Sequence, residues 1–439
     1  MRLPSLTSLA LLAACTASAQ QFDFGNPRAE APQIGVAAPQ PYESATGYGL
    51  LFQQDLSTQE AETGTAGFES AWPWAFGVKL PGGNYRVSVQ LRNASEEDQM
   101  VTIKAEARRL MVHGLQVPAG KQIETEFTVH IHDDSLASGG KVQLNDREIG
   151  HWNWNDRLEL EFAAPGVAVD HLTIEPAEGA PTVYLAGDST VTDQAQEPWA
   201  GWGQMMPVFF KEHVAVANYA ESGETLKQFR AEHRLQKILE QIQPGDYLLL
   251  QFGHNDMKEK GEGIGPFQSY ADDLRAFIRA ARAKGALPVL VTSMKRRHFD
   301  EEGKLKPTLG DYPEAMRQVA EEMQVPLIDL NAMSAQLYYA WGGVDGSTIG
   351  FVHYPAGTFP GQDKDLKDDT HFNTYGGYQL ARCVVLGIQK QVPGLQDWLR
   401  RDIVPFDPAR PEPVGEVAIP SSPLGPYMTD PTQTVFGSY

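Results

Sequence analysis

Thr182-Val-Tyr-Leu-Ala-Gly-Asp-Ser-Thr190 decides the fold of the second half of this chain. A short apolar run stops abruptly at Gly-Asp-Ser, as a buried strand does when it leaves a sheet and enters a loop. Further apolar runs begin near Val214, Tyr247, Leu287 and Leu327, so that, counted from Val183, the spacings are 31, 33, 40 and 40 residues. Between them lie amphipathic stretches, among them Tyr270 to Ala283 and Pro313 to Met323. That is the spacing of βαβ units, and near-continuous apolar strands belong to a parallel sheet covered on both faces. We therefore expect a doubly wound α/β domain over residues 181–400, with functional residues at the carboxyl ends of its strands.

Upstream the rhythm changes. Between residues 21 and 178, Tyr85-Arg-Val-Ser-Val-Gln-Leu91, Phe127-Thr-Val-His-Ile131, Leu158-Glu-Leu-Glu-Phe162 and Leu172-Thr-Ile174 alternate apolar with polar. Turn residues such as Pro81-Gly82-Gly83-Asn84 separate them, which predicts an antiparallel β-sandwich without helices. Residues 401–439 are rich in proline and predict an extended tail that wraps a domain or trails in solvent.

The length of 439 residues, with 42% hydrophobic and 21% charged residues, suits two globular domains with separate cores. The first residues differ from the rest: Arg2, an apolar stretch from Leu6 to Ala14, and no acid before Asp23. This is the pattern of an export signal spanning residues 1–19. Two exits compete, cleavage after Ala17-Ser18-Ala19 and a lipobox, Leu12-Ala-Ala-Cys15, that would lipidate Cys15. Either route leaves one thiol, Cys383, in the apolar run Leu380 to Ile388, where it reads as a small buried hydrophobe and no disulfide forms. The formal charge is −20, and losing Arg2 makes it −21. Such a chain repels nucleic acid and anionic membranes, and no later segment has the ~18 apolar residues of a membrane span.

Three strand-end motifs carry the chemistry: Gly187-Asp-Ser-Thr190, Gly253-His-Asn-Asp256 after the third strand, and Asp368-Asp-Thr-His371 before the last helix. Singly they are weak; by composition Gly-Asp-Ser arises in roughly one chain in ten of this length. Their coincidence in this order is what counts. The pattern resembles the SGNH (GDSL) hydrolases across the whole α/β half. Ser189 matches that family's nucleophile, Gly223 in Asn218-Tyr-Ala-Glu-Ser-Gly223 its second-block glycine, Asn255 its asparagine, and Asp368 and His371 its acid and base.

A serine hydroxyl attacks a carbonyl when a base takes its proton, and histidine does so near neutral pH. Three residues apart, Asp368 and His371 reach the same side of a turn, where Asp368 can fix the imidazole tautomer; Asp369 points away. The resemblance implies an oxyanion hole of the Ser189 and Gly223 backbone N–H groups and the Asn255 amide. The reaction needs no cofactor. Asp363, Asp365, Asp368, Asp369 and His371 make an oxygen-rich run with some calcium character, but it reads better as a solvated loop, so no metal is assigned. No Gly-x-Ser-x-Gly elbow occurs, which disfavours an ordinary α/β-hydrolase.

Within the family, Ala186-Gly-Asp-Ser-Thr190, Gly201-Trp-Gly203, Phe252-Gly-His-Asn-Asp256, Gly310-Asp-Tyr-Pro313 and Thr370-His-Phe372 are similar to the rhamnogalacturonan acetylesterases, family twelve of the carbohydrate esterases. The β-rich half, with Phe22-Asp-Phe-Gly25 and Gly47-Tyr-Gly49, resembles a galactose-binding-like jelly roll. The first resemblance implies an acetylated plant cell-wall polysaccharide, pectic in the first instance, as partner, with an acetylesterase acting on xylan or another glycan as the alternative. A sandwich-bearing carbohydrate-binding protein that has lost activity is the rival of another class. Lys295-Arg-Arg-His298 at the end of the fourth strand offers Arg296 and Arg297 to the carboxylates of a galacturonate chain, against a reading in which they pair with Asp300, Glu301 and Glu302. Trp199 reads as a sugar-stacking residue and Trp202 as core at the start of an amphipathic helix. His254 and His353 read as structural. Trp72, Trp74, Trp152 and Trp154 could line a sugar face, at least half of them being core.

Overall fold

The computed structural model of the chain describes residues 18–26, 31–53, 55–60, 66–359, 361–423 and 434–435. The apolar leader and Cys15 lie outside the described residues.

In the first half, alternation builds two sheets packed face to face. Along strand Gly83–Arg92, Tyr85, Val87, Val89 and Leu91 are buried, whereas Arg86 is exposed. This strand lies between Gln122–Ile131 and Ala168–Pro176, both antiparallel to it, and Gln20–Phe24 and Gln33–Val36 continue the sheet. The facing sheet runs Tyr48–Gln53, Trp74–Lys79, Arg157–Ala163, Gln99–Ala105, Arg109–Val117. Val87, Leu91 and Leu172 from one sheet meet Phe76, Leu160 and Phe162 from the other in a shared core, the interior of a sandwich. Trp74 belongs to that core, Trp152 stacks on Phe52, and Trp72 is exposed.

Two strands break the alternation. Thr128 and His130, on the polar side of Phe127–Ile131, are 3% and 2% exposed because the second half docks there. Thr128 Oγ1 donates to the Glu212 carbonyl at 2.6 Å, and His130 Nε2 lies 3.0 Å from the Tyr219 hydroxyl. Glu159 and Glu161 are buried too; Lys104 meets Glu161 at 3.1 Å, and Ser422 bonds both Lys104 and Glu161. The C-terminal segment that brings Ser422 there is extended and crosses both halves, with Glu412 taking Arg382 at 3.0 Å and Gln379 at 2.8 Å.

The second half is a parallel sheet of Thr182–Gly187, Ala215–Asn218, Tyr247–Gln251, Leu287–Val291 and Leu327–Ile328, in spatial order second, first, third, fourth, fifth. Successive side chains go to opposite faces. Tyr184, Leu248, Leu250 and Leu290 pack under helices Ala271–Ala283 and Tyr312–Met323, whereas Val183, Leu185, Leu249 and Val291 pack under helix Thr374–Gln391. Cys383 is fully buried in that helix, and burial pushes its thiol up. The order reverses between the first and third strands, where the ligand crevice of a doubly wound sheet opens. No helix among the described residues is long and apolar enough to cross a membrane.

The halves are joined by more than a linker. Between strands Gln99–Ala105 and Arg109–Val117 the chain turns through Glu106 and Arg108, both at positive φ, and Leu110 inserts into the α/β core. Arg109, 1% exposed, forms a buried ion pair with Asp193, just after the nucleophile candidate. Arg108 pairs with Glu197 at 2.6 Å and donates to the Gln194 and Trp199 carbonyls at 2.9 Å. Removing one partner of a buried pair strands the other charge, at about 3–5 kcal/mol. Arg109→Ala is therefore expected to lower the unfolding free energy measured in urea by that amount. A shift under 1 kcal/mol (about the effect of an ordinary surface change) would show that the pair contributes little.

Candidate active site

Gly187, at the end of the first parallel strand, permits a close approach: a Cβ there would stand 2.8 Å from the Gln251 carbonyl oxygen and closer still to Val191. The chain then turns over Asp188, whose carbonyl accepts from the N–H groups of Val191 and Thr192 at 3.0 and 3.1 Å. The Asp188 side chain accepts from Thr190 N–H and Oγ1 at 3.0 and 2.7 Å, so the turn is hydrogen-bonded from within. Burial pushes the Asp188 carboxyl up, but His254, 3.3 Å away, and the Thr190 donors hold it below the usual range.

This turn delivers Ser189 Oγ to 2.8 Å from His371 Nε2, and His371 Nδ1 lies 2.7 Å from Asp368 Oδ2. The pair sits on strand Leu366–Phe372, not in a free loop. A regular strand would send residues three apart to opposite faces. Here the pairing jumps, with Phe351 opposite Phe372 and Val352 opposite Asp368, so residues 369–371 bulge out. Within the bulge, Thr370 and His371 N–H donate to Asp368 Oδ1 at 2.8 and 2.9 Å, a turn inside a strand. Burial pushes the Asp368 carboxyl up, yet the bonds from His371 and these N–H groups outweigh it and bring it down to about 2. The carboxylate stays ionised wherever the imidazole can act as base.

Neighbouring strands supply the other motif residues. Gly223 follows the second strand, with φ +89°, a left-handed conformation that favours glycine. Among the described residues, neither the Ser189 nor the Gly223 N–H donates a hydrogen bond. Asn255 follows the third strand; its Nδ2 donates to the Glu224 carbonyl at 3.1 Å and its Oδ1 accepts from Lys258 at 2.8 Å, which leaves one amide N–H. A hydroxyl relayed through imidazole to carboxylate, beside uncommitted N–H groups, suits attack on a carbonyl carbon.

The remaining candidates separate. Asp369 turns away from His371, its Oδ1 taking His353 Nε2 and Arg297 Nη1, each at 2.9 Å. Arg297 also donates to Ser347 Oγ at 2.9 Å, so it pairs with Asp369 rather than with Asp300, Glu301 or Glu302, and it is committed inside the protein. Arg296 differs: half-buried, it donates to the His254 carbonyl at 3.0 Å and feels the charges of Asp188 and Asp368. Trp199 is half-buried and Trp202 fully buried, its Nε1 donating to Gln251 Oε1 at 2.8 Å. The helix at Trp202 is a single buried turn, Trp202–Met205, rather than an amphipathic one, and proline follows at 207. The acids of the oxygen-rich run take separate partners: Asp365 holds Lys367 at 2.9 Å, Asp368 holds His371 and Asp369 holds Arg297.

Sequence reasoning missed the supports from the sandwich. Arg147 Nε donates to Glu221 at 2.6 Å and its Nη2 to the Ser222 carbonyl, beside Gly223. Asn153 donates to the Asp193 carbonyl at 3.2 Å. The paired arginines in Glu106-Ala-Arg-Arg109, at a hairpin tip, were the one available sign. Nothing local marks Arg147.

Asp256 was read only as part of its motif. It is buried with no cation paired to it among the described residues, and burial pushes its carboxyl up to about 7 from an ordinary 3.8, Asp188 and Glu259 adding to the shift. The folded chain thus keeps a proton that the unfolded chain releases near pH 3.8, and stability falls as pH rises from there towards 7. Asp256→Asn, which keeps the oxygen that accepts from Leu226 N–H at 3.0 Å, is expected to flatten that fall by up to about 1.4 kcal/mol per pH unit. An unfolding free energy that falls between pH 5 and pH 7 as steeply in Asp256→Asn as in the wild type would contradict the assignment.

Residues 185–378 match the GDSL-like lipase/acylhydrolase family. The rhamnogalacturonan acetylesterase RhgT of Bacillus subtilis is 44% identical over 49% of this chain and 93% of its own length. The rhamnogalacturonan acetylesterase of Emericella nidulans is 36% identical over 54% of this chain and 96% of its own. The uncharacterized esterase YxiM of Bacillus subtilis is 29% identical over 84% of this chain and 91% of its own, a match that extends beyond the α/β half. The chain belongs to the GDSL-like lipase/acylhydrolase family and is a carboxylic ester hydrolase.

Proposed function

We propose that this chain is a secreted serine esterase that removes O-acetyl groups from pectic polysaccharide through an acyl-enzyme. The observation that carries the reading is the relay from Ser189 Oγ through His371 to Asp368, at 2.8 and 2.7 Å. Ser189 Oγ attacks the acetyl carbonyl while His371 Nε2 takes its proton; the N–H groups of Ser189 and Gly223 and the Asn255 amide receive the developing oxyanion. His371 then returns the proton to the departing sugar oxygen. Water, deprotonated by His371, releases acetate from Ser189 and restores the hydroxyl. Asp368 stabilises the imidazolium in both halves of the cycle.

Support for a carbohydrate acetyl ester comes from the relatives named rhamnogalacturonan acetylesterases. Support for an acidic chain comes from Arg296, a half-buried cation in the field of Asp188 and Asp368 in a protein of net charge −20. The basic-then-apolar leader from Arg2 supports export, either freed near Gln20 or lipidated at Cys15. The test is acetate release from a panel of acetylated pectins and xylans. Faster release from pectins is expected. Faster release from xylans would overturn the pectic assignment, and release from neither, with p-nitrophenyl acetate still hydrolysed, would overturn the carbohydrate assignment.

A further inference from the structure

Where the sandwich meets the catalytic loops, an open cavity of about 160 Å³ is shared between the two halves. Arg147, His151 and Asn153 come from the sandwich; Gln194, Trp199 and Ser222 come from the loops that flank Ser189 and Gly223. We propose that this cavity is a glycan subsite, holding the sugar residue next to the one that carries the ester, so that the sandwich contributes directly to substrate binding. The proposal rests on the carbohydrate reading above.

Position is the first argument. Gln194 Nε2 donates to the Ser189 carbonyl at 2.7 Å, and Ser222 immediately precedes Gly223. The cavity therefore continues from the two loops that hold the reacting serine and its neighbouring N–H donor. A sugar seated there lies alongside the ester and leaves the carbonyl itself clear.

Chemistry is the second. Most lining residues are of polar type and one is a tryptophan, so polar groups and apolar surface alternate, the composition that suits a hydroxyl-rich ring better than an acyl chain. Among the described residues, Thr192 Oγ1 and Asn153 Oδ1, both of cavity-lining residues, are buried without a hydrogen-bond partner. Buried polar atoms are normally paired, so these two become available to a sugar hydroxyl once either side chain turns outward. Arg147, with 54% of its side chain exposed, uses Nε and Nη2 within the protein and leaves Nη1 for a ring or hydroxyl oxygen, while Glu148, Asp193 and Glu221 in the same lining disfavour a charged sugar.

Rigidity is the third. The 193–199 loop is fixed from below by the buried pairs Arg109–Asp193 and Arg108–Glu197, so binding does not have to order it. This explains why a sandwich with its own core also supplies three arginines to the loops of a neighbouring domain.

His151→Ala and Trp199→Ala in the full-length chain test the subsite, with thermal unfolding of each variant as a check on folding. The readout is kcat/KM on whichever acetylated oligosaccharide the wild type hydrolyses best, divided by kcat/KM on p-nitrophenyl acetate, which has no second sugar. Each variant is expected to lower that ratio about five- to tenfold, through KM on the oligosaccharide. A ratio unchanged in both variants overturns the subsite, whether both activities fall together or neither falls. A wild type that releases no acetate from any glycan overturns the carbohydrate reading itself, which separates the two failures.

Discussion

Ser189→Ala is expected to reduce esterase turnover by about 10⁶, to the level set by the remaining binding groups. The size follows from the relay. Without the hydroxyl, the imidazole 2.8 Å away has no proton to take and no covalent route remains. Since Ser189 and His371 act as one unit, His371→Ala should cost a similar factor, and the double variant little more than either. Assays with p-nitrophenyl acetate and with acetylated glycan should agree, because the missing step is common to both substrates. The replacement is smaller, and Ser189 is 8% exposed at a turn held by Asp188 and Thr190, so the unfolding temperature should hardly change.

Asp368→Asn is expected to lower kcat by about 10⁴, and Asp369→Asn by less than about tenfold. The two residues are adjacent, and the difference lies in what their oxygens touch. Asp368 Oδ1 is tied to two backbone N–H groups. An asparagine there would keep its carbonyl oxygen on those donors and turn its NH₂ towards His371 Nδ1. That nitrogen must then accept, which places the ring proton on Nε2, where it blocks transfer from Ser189. Asp369 Oδ1 instead ties His353 and Arg297 to the bulge. An asparagine oxygen accepts both bonds, so this change should cost some stability and little catalysis. Comparable losses from the two substitutions would mean that the bulge, and not Asp368 alone, orients the imidazole.

The pair also shows what was legible in the sequence. Motif identity and order placed Ser189, Gly223, Asn255, Asp368 and His371 together, and the structure brings the serine, histidine and Asp368 within hydrogen-bonding distance. The parallel strands begin where apolar runs begin, since a strand buried on both faces needs no alternation, and glycine marks the ends of the first and third, at Gly187 and Gly253. The strand bulge around Asp368 was not legible, because a run of Asp-Asp-Thr-His is as compatible with a loop as with a strand. The role of the sandwich was illegible for a different reason. Arg109 and Asp193 are 84 residues apart and Arg147 and Glu221 74, and pairings at that separation leave no local period. Thr128, His130, Glu159 and Glu161 illustrate the same limit: alternation marked them as solvent-facing, whereas the second half and the C-terminal segment cover them. Arg297 was an even choice between substrate and ion pair, and Asp369, the residue set aside as a bystander to His371, is what holds it.

The most direct test of the central claim is acid quenching of the enzyme during turnover of an acetylated substrate, followed by mass mapping of its peptides. The account predicts a single added acetyl group, on the peptide containing Ser189, absent from Ser189→Ala. An acetyl group on another residue, or none while Ser189→Ala still turns over at the wild-type rate, would contradict it.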